Sequence, residues 1–211
     1  LSCVPGIIAM APGDEDELAD MMFTATHQNQ PTFIRYPRGS GEGVAVKGQP
    51  SLIEIGKAEV RQNFSNSGKP KVAFFPLGPM RGIAEKAIEE LGAENIDAAI
   101  INPRFTKPID GGTTEFFAQA ADVIVTIEDH VIKGGYGSNV RDHLGDCGIT
   151  TPVVRIGWPD QFIEHASSVG YLREKHGLTG ANTAEKIRKA LGYASEASAK
   201  PNLALGNAIG R

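Results

Sequence analysis

The pattern that most constrains this chain is an alternation, from residue 71 onward, of short β-branched apolar runs with stretches of helical periodicity. Residues 71–75, 96–101, 123–127 and 153–156 are apolar runs of strand length. Residues 79–91, 113–121 and 138–144 lie between them and place apolar side chains at helical spacing. Strands joined by helices lie parallel, so the pattern predicts an α/β unit with a mainly parallel sheet, helices on both faces and right-handed crossovers. Two more helices are expected over 168–175 and 181–191, the second closed by Gly192. One antiparallel element is expected at the start of the unit. Residues 53–61 and 71–75 flank the polar turn 63–70, rich in Asn, Ser and Gly, which reads as a hairpin.

The first fifty residues have a separate logic. Ile7, Ile8, Ala9 and Met10 form a short apolar run between Pro5 and Pro12, which predicts a buried strand. Asp14 follows as a helix N-cap with Glu17 three residues on, and Leu18, Met21, Met22 and Ala25 continue the helix to about Gln28. The acids Asp14, Glu15, Asp16 and Glu17 complement the helix dipole; a metal site is the lesser reading. Phe33, Ile34 and Tyr36 predict a second buried strand that Pro37 stops, since proline donates nothing to a sheet ladder. Arg38 then projects from the exit of a strand, where open α/β sheets bind ligands, among glycines that let an anion approach. Arg35 and Arg38 either hold a phosphate or carboxylate or pair with surface acids such as Glu42, and the spacing leaves both open. The Gly-rich, polar stretch to about Pro50 reads as a linker. The expected division is 1–50, 51–192, and a flexible tail over 193–211 with few large apolar residues.

Bulk properties exclude several classes. A net charge of -4 over 211 residues, with acids and bases interspersed, offers no basic face for nucleic acid and no polybasic membrane patch. Cys3 and Cys147, the two cysteines, are far apart and outside any C-x-x-C pattern, which suggests neither a disulfide framework nor a zinc site and fits a reducing compartment. No apolar run approaches the roughly 20 residues of a membrane span. The chain opens on Leu1 in an irregular segment with no charged-then-apolar leader, which is expected of a fragment, a proteolytic product or one half of a split protein.

The other strand exits carry weaker signals. Arg104 and Lys107 offer an anion grip, while Asp110 reads as the cap of the next helix, the structural reading being the stronger. Gly134, Gly135 and Gly137 form a turn feeding a helix that is able to cradle phosphate on bare amides, although it matches neither nucleotide fingerprint. His130 and His165 are acid-base candidates by their ordinary pKa, against the commoner role of a structural hydrogen-bonder. His27, His143 and His176 lack metal-ligand spacing.

Taken in order, several blocks resemble the 1-deoxy-D-xylulose-5-phosphate synthase family of the transketolase superfamily. They are the run 11–17, Ile34-Arg35-Tyr36-Pro37-Arg38-Gly39, Ile55-Gly56-Lys57, Arg104-Phe105 with Lys107-Pro108 and Asp110, Glu128 with Gly134-Gly135 and Gly137-Ser138, and Pro159-Asp160 with Phe162-Ile163 and His165. The resemblance covers residues 3–192. It implies the end of a pyrimidine-binding domain followed by a transketolase C-terminal-type domain. It also implies an enzyme that uses thiamine diphosphate and Mg2+ to condense decarboxylated pyruvate with glyceraldehyde 3-phosphate for isoprenoid precursors, as a homodimer in the bacterial cytoplasm or a plastid. The diphosphate-binding part, the Gly-Asp-Gly metal motif and the family's catalytic glutamate and histidines have no match here. The chain is therefore expected to be inactive alone, to bind no cofactor, and to need the remainder of the synthase as its partner. On this resemblance Arg38 grips the acceptor phosphate, with Arg35, Tyr36 and Asp14 in support. Ser2, where the family commonly has arginine, and Ala166, where glycine is usual, depart from the pattern. A subunit of a transketolase-like or 2-oxoacid dehydrogenase E1 enzyme, and a non-catalytic anion-binding assembly module, remain as alternatives.

Overall fold

The computed structural model describes residues 2–65, 67, 69–165 and 167–192. The expected tail over 193–211, the departure at Ala166 and the opening Leu1 lie outside the described residues. Two sheets organise the rest. The smaller has strand β1 (Ile8–Met10) at its centre, parallel to β2 (Thr32–Ile34) and antiparallel to β6 (Phe105–Lys107). The larger runs in the order β3 (Glu59–Gln62), β5 (Asp97–Asn102), β4 (Lys71–Pro76), β7 (Val123–Val131), β8 (Val153–Trp158). Its last four strands are parallel and β3 alone is antiparallel. The parallel sheet with helices on both faces agrees with the alternation in the sequence.

The expected hairpin does not form. β3 pairs with β5, and β4 lies between β5 and β7. Hydrophobicity decides against the turn. Val72, Ala73, Phe74 and Phe75 of β4 are all buried, so β4 takes a central place flanked by strands that are also mostly apolar. β3 reads Glu-Val-Arg-Gln and is largely exposed, which suits an edge. The 63–70 connection is tied down instead by Asp97, whose carboxylate accepts the Ser65 amide at 2.8 Å and hydroxyl at 3.0 Å.

Side chains alternate across β4 and sort the helices into two layers. Val72 and Phe74 pack under α2 (Arg81–Glu90) and α6 (Gly180–Ala190), against Met80, Ala84, Ala87 and Ile187. Ala73 and Phe75 pack under α3 (Gly111–Ala120) and α4 (Tyr136–Asp146), against Phe117, Val140 and Leu144. α2 and α6 approach so closely at Gly180 that a Cβ there would lie 2.6 Å from the Lys86 Cβ. α2 ends at Leu91 and runs into a 3-10 turn, Gly92–Glu94; the left-handed residue is Asn95, not Gly92.

In the first fifty residues the caps agree with the sequence. Asp14 accepts the Glu17 amide at 2.8 Å at the start of α1 (Glu15–Thr26), while the Glu17 carboxylate reaches back to the Gly13 amide at 2.7 Å. The acids of α1 do more than complement its dipole. Asp16, Asp20 and Thr24 stand four residues apart on one face, and they accept the amides of Lys47, Ser51 and Ile53 at 2.8, 2.7 and 2.9 Å. Glu15 takes the Gly43 amide at 2.7 Å. The linker is strapped along the helix, and the carboxylates that suggested a metal site are occupied by backbone. β2 also differs from expectation. It ends at Ile34 rather than Tyr36, and Phe33 and Tyr36 are exposed by 43% and 61%, so this is an open edge and not a buried strand.

β6, absent from the sequence reading, joins the two sheets. It is three residues long between Pro103 and Pro108, too short and too interrupted to show a period. Next to it sits a buried polar knot. Glu17, 5% exposed, accepts both bonds of the Asn102 amide at 2.9 Å and the Arg104 Nε at 2.7 Å, while Arg104 Nη2 reaches Glu59 at 3.1 Å. Arg104 holds a left-handed φ of 60° to do so and is no anion grip. Lys107 donates to the carbonyls of Ser2 and Val4, and Asp110 caps α3 through the Thr113 amide at 3.0 Å. Truncating Arg104→Ala leaves the Glu17 charge short of its cation. Since Arg104 is itself about a quarter exposed, the loss falls below that of a fully buried pair, at about 2 kcal/mol in urea unfolding, with Arg81→Ala as a surface control near zero.

Candidate anion-binding cleft

Beyond β2 the chain crosses the C-terminal ends of the large sheet's strands. The Arg35 amide still follows β1, donating to the Met10 carbonyl at 2.9 Å. Its guanidinium spans to the other unit, where Nη2 donates to the Asp129 carboxylate at 2.8 Å and to the Asp129 carbonyl at 3.1 Å. Asp129 lies on the extension of β7 past Ile127, where the sequence reading had ended the strand. The Trp158 indole donates to its second oxygen at 2.7 Å, and Arg173 of α5 (Val169–Lys175) stands 3.6 Å away. Burial works to raise the Asp129 carboxyl, but the hydrogen bonds from Arg35 and Trp158 and the charges of Arg35 and Arg173 outweigh it and hold it below the usual aspartate range. The sign follows: a lowered pKa means that this contribution to folding is present above the ordinary aspartate range and is lost as pH falls through it.

With Arg35 pinned, the loop through Gly43 forms one wall of a cleft of about 720 Å³. Tyr36 and Arg38 line it, opposite Asp14, Pro79, Val169 and Arg173. Neither Arg35 nor Arg38 pairs with Glu42. Among the described residues Arg38 has no hydrogen bond or ion pair, and it is exposed, with Gly39 beside it at φ 134° and open space about the Cα. The two arginines of one short motif are thus divided, one committed to an internal carboxylate and the other left facing the cleft. Asp14 lines the cleft too, but one oxygen is spent on the α1 cap and the other lies 4.0 Å from Arg61.

The Gly-rich turn does not cradle phosphate. The amides at the start of α4 are taken by Glu128, 1% exposed, whose two oxygens accept the Tyr136 and Gly137 amides at 2.7 and 2.9 Å, and the Gly134 amide donates to the Ser138 hydroxyl at 3.1 Å. The carboxylate is an N-cap delivered from a neighbouring strand, favoured by the positive end of α4, and Gly135 is needed because a Cβ there would lie 2.1 Å from a Glu128 oxygen. Burial pushes the Glu128 carboxyl above the usual range against the pull of those amides. His130, exposed, turns its Nδ1 to within 2.9 Å of the Val131 carbonyl, and His165 is exposed away from these contacts. No acid-base pair forms between them. The sequence reading missed Asp129, Trp158 and Arg173. Asp129 had a local signal in the polar run that follows the buried part of β7, while Trp158 and Arg173 lie in other elements and had none there.

Comparison with known proteins extends this geometry. Residues 58–182 match the family model described as the transketolase C-terminal domain. Over 191 residues the chain is 52% identical to a 1-deoxy-D-xylulose-5-phosphate synthase of Methylacidiphilum infernorum, covering 90% of this chain and 29% of that protein. Over 184 residues it is 46% identical to the synthase of Acidobacterium capsulatum, covering 87% and 28%. The chain therefore spans less than a third of the length of these relatives. A solved structure described as a split gene transketolase, an inactive beta4 tetramer, superposes with a TM-score of 0.76 at 28% identity, over 91% of this chain and 60% of that one. By this match over more than half its length, the chain belongs to the transketolase C-terminal domain family.

Proposed function

We propose that this chain is the C-terminal part of a 1-deoxy-D-xylulose-5-phosphate synthase, and that its direct contribution to the reaction is Arg38, which binds the phosphate of the glyceraldehyde 3-phosphate acceptor. The observation that carries the reading is the division of labour in the loop: Arg35 is tied to Asp129 at 2.8 Å, while Arg38 faces the cleft with no partner among the described residues. A guanidinium offers a planar fork to a dianion, and no internal carboxylate competes for it. Arg35 and Tyr36 support the loop, Arg35 by bridging the Met10 carbonyl and Asp129.

Thiamine diphosphate and Mg2+ belong to this reading, and the cofactor supplies the carbanion chemistry that joins the decarboxylated donor to the acceptor. The residues here do not fit it. Asp14, Glu15, Asp16 and Asp20 each accept a backbone amide, and Glu128 fills the glycine turn, so neither a converging set of free oxygens nor a diphosphate cradle is left among the described residues. Cofactor binding is assigned to the remainder of the enzyme, which would act as a homodimer with pyruvate and glyceraldehyde 3-phosphate as substrates, in a bacterial cytoplasm or a plastid. A second reading, a naturally separate subunit of a transketolase-like enzyme, is favoured by the likeness to a split gene transketolase.

In the complete enzyme, Arg38→Ala raises the KM for glyceraldehyde 3-phosphate roughly 10- to 100-fold, the worth of a charge-assisted hydrogen bond, and changes that for pyruvate little. Equal effects on both substrates would remove the phosphate role. The 211-residue chain by itself shows no turnover and no heat of thiamine diphosphate binding in calorimetry. Turnover without a second polypeptide would overturn the assignment of the chemistry to the missing part, and activity restored by a separate natural chain would favour the split-subunit reading.

A further inference from the structure

At the end of α4 away from the cleft, three side chains of different donor type converge. His143 in the last turn and Cys147 at the C-cap stand four residues apart on one face of the helix, and Glu115 reaches them from α3. The His143 Nε2 lies 2.9 Å from a Glu115 oxygen and 3.9 Å from the Cys147 sulfur, and all three donor atoms fall within 4.8 Å of one another. We propose that Glu115, His143 and Cys147 form a binding site for a borderline-soft divalent cation of the zinc class, clipping α3 to the end of α4.

The two distances from the His143 Nε2 are close to what such an ion needs. Tetrahedral coordination with ordinary Zn–N, Zn–O and Zn–S bonds sets nitrogen and oxygen ~3.3 Å apart and nitrogen and sulfur ~3.6 Å apart. The first pair opens by less than half an ångström and the second closes by about as much, within reach of side-chain rotation at a partly exposed surface. One nitrogen, one oxygen and one sulfur ligand suit a borderline ion better than a hard one, and a carboxylate with a thiolate offsets its two charges. Binding breaks the S–H bond of Cys147, releases its proton to solvent and forms the sulfur–metal bond, with no change of oxidation state. The fourth position faces water, since Cys147 is exposed.

Gly111 gives independent support for the seat. A Cβ there would lie 2.8 Å from Cε1 and 2.9 Å from Nε2 of His143, so a side chain at this position would push aside the imidazole edge bearing the ligand atom. The site is not part of the cleft. α4 meets Glu128 at its first turn, and its eleven residues carry the chain about 15 Å before Cys147.

Both cysteines are free and exposed, so Cys3 serves as an internal control. In the purified protein, ZnCl2 alone slows alkylation of Cys147, resolved by peptide mass spectrometry, at least about tenfold while leaving Cys3 unchanged, and a chelator restores the rate. His143→Ala and Glu115→Gln each lower the Zn2+ affinity at least about tenfold, as losing even an outer-shell partner does. Zn2+ also raises the thermal midpoint of the native protein and not of His143→Ala. Equal protection of both cysteines, protection that survives in His143→Ala, or no protection at all overturns the site.

Discussion

Much of this structure depends on one buried carboxylate. Glu17 sits in the first turn of α1, caps the chain entering that turn through the Gly13 amide, and then gives its remaining capacity to Asn102 and Arg104 at the exit of β5. A charge at 5% exposure is tolerable only when every lone pair is met, and here the groups that meet it come from both units of the chain. The short β6 follows directly and pairs with β1, so the same knot that neutralises Glu17 also aligns the small sheet on the large one. The cleft inherits its geometry from that alignment, since its walls come from either side of the junction.

Asp129 repeats the device beside the cleft. It gathers Arg35 from the first unit, Trp158 from the last strand and Arg173 from α5, and its lowered pKa records how many donors face it. Fixing Arg35 leaves Arg38 with no hydrogen bond or ion pair among the described residues. Glu128 shows the opposite use of a buried acid. It closes the Gly-rich helix start that resembled a phosphate cradle by taking the Tyr136 and Gly137 amides itself. The comparisons place the chain in the transketolase C-terminal domain family and show that it spans less than a third of the synthases it matches.

Two helix N-caps were legible to the residue: Asp14 and Asp110 each accept the amide three positions on, because that bond depends only on local spacing. The strands of the large sheet were legible as apolar runs, and their extension in β7 was not, because Glu128, Asp129 and His130 are polar residues held in the strand by partners elsewhere. The hairpin expectation failed because a turn signal is local while strand placement is settled by which strands must be covered on both faces. Likewise β6 escaped notice, since three residues between prolines carry no period.

By itself the sequence determined the α/β class, the capped helices and the presence of a basic loop at Arg35 and Arg38, all properties set by neighbours within a few positions. Only the tertiary structure decided what Arg35 is spent on, and that Arg38 meets no partner among the described residues. The contacts that decide it, Arg35 with Asp129 and Glu17 with Asn102, join residues 94 and 85 positions apart. A guanidinium accepts any well-placed carboxylate, so its choice of partner is written in the packing of the sheets and not in the residues beside it.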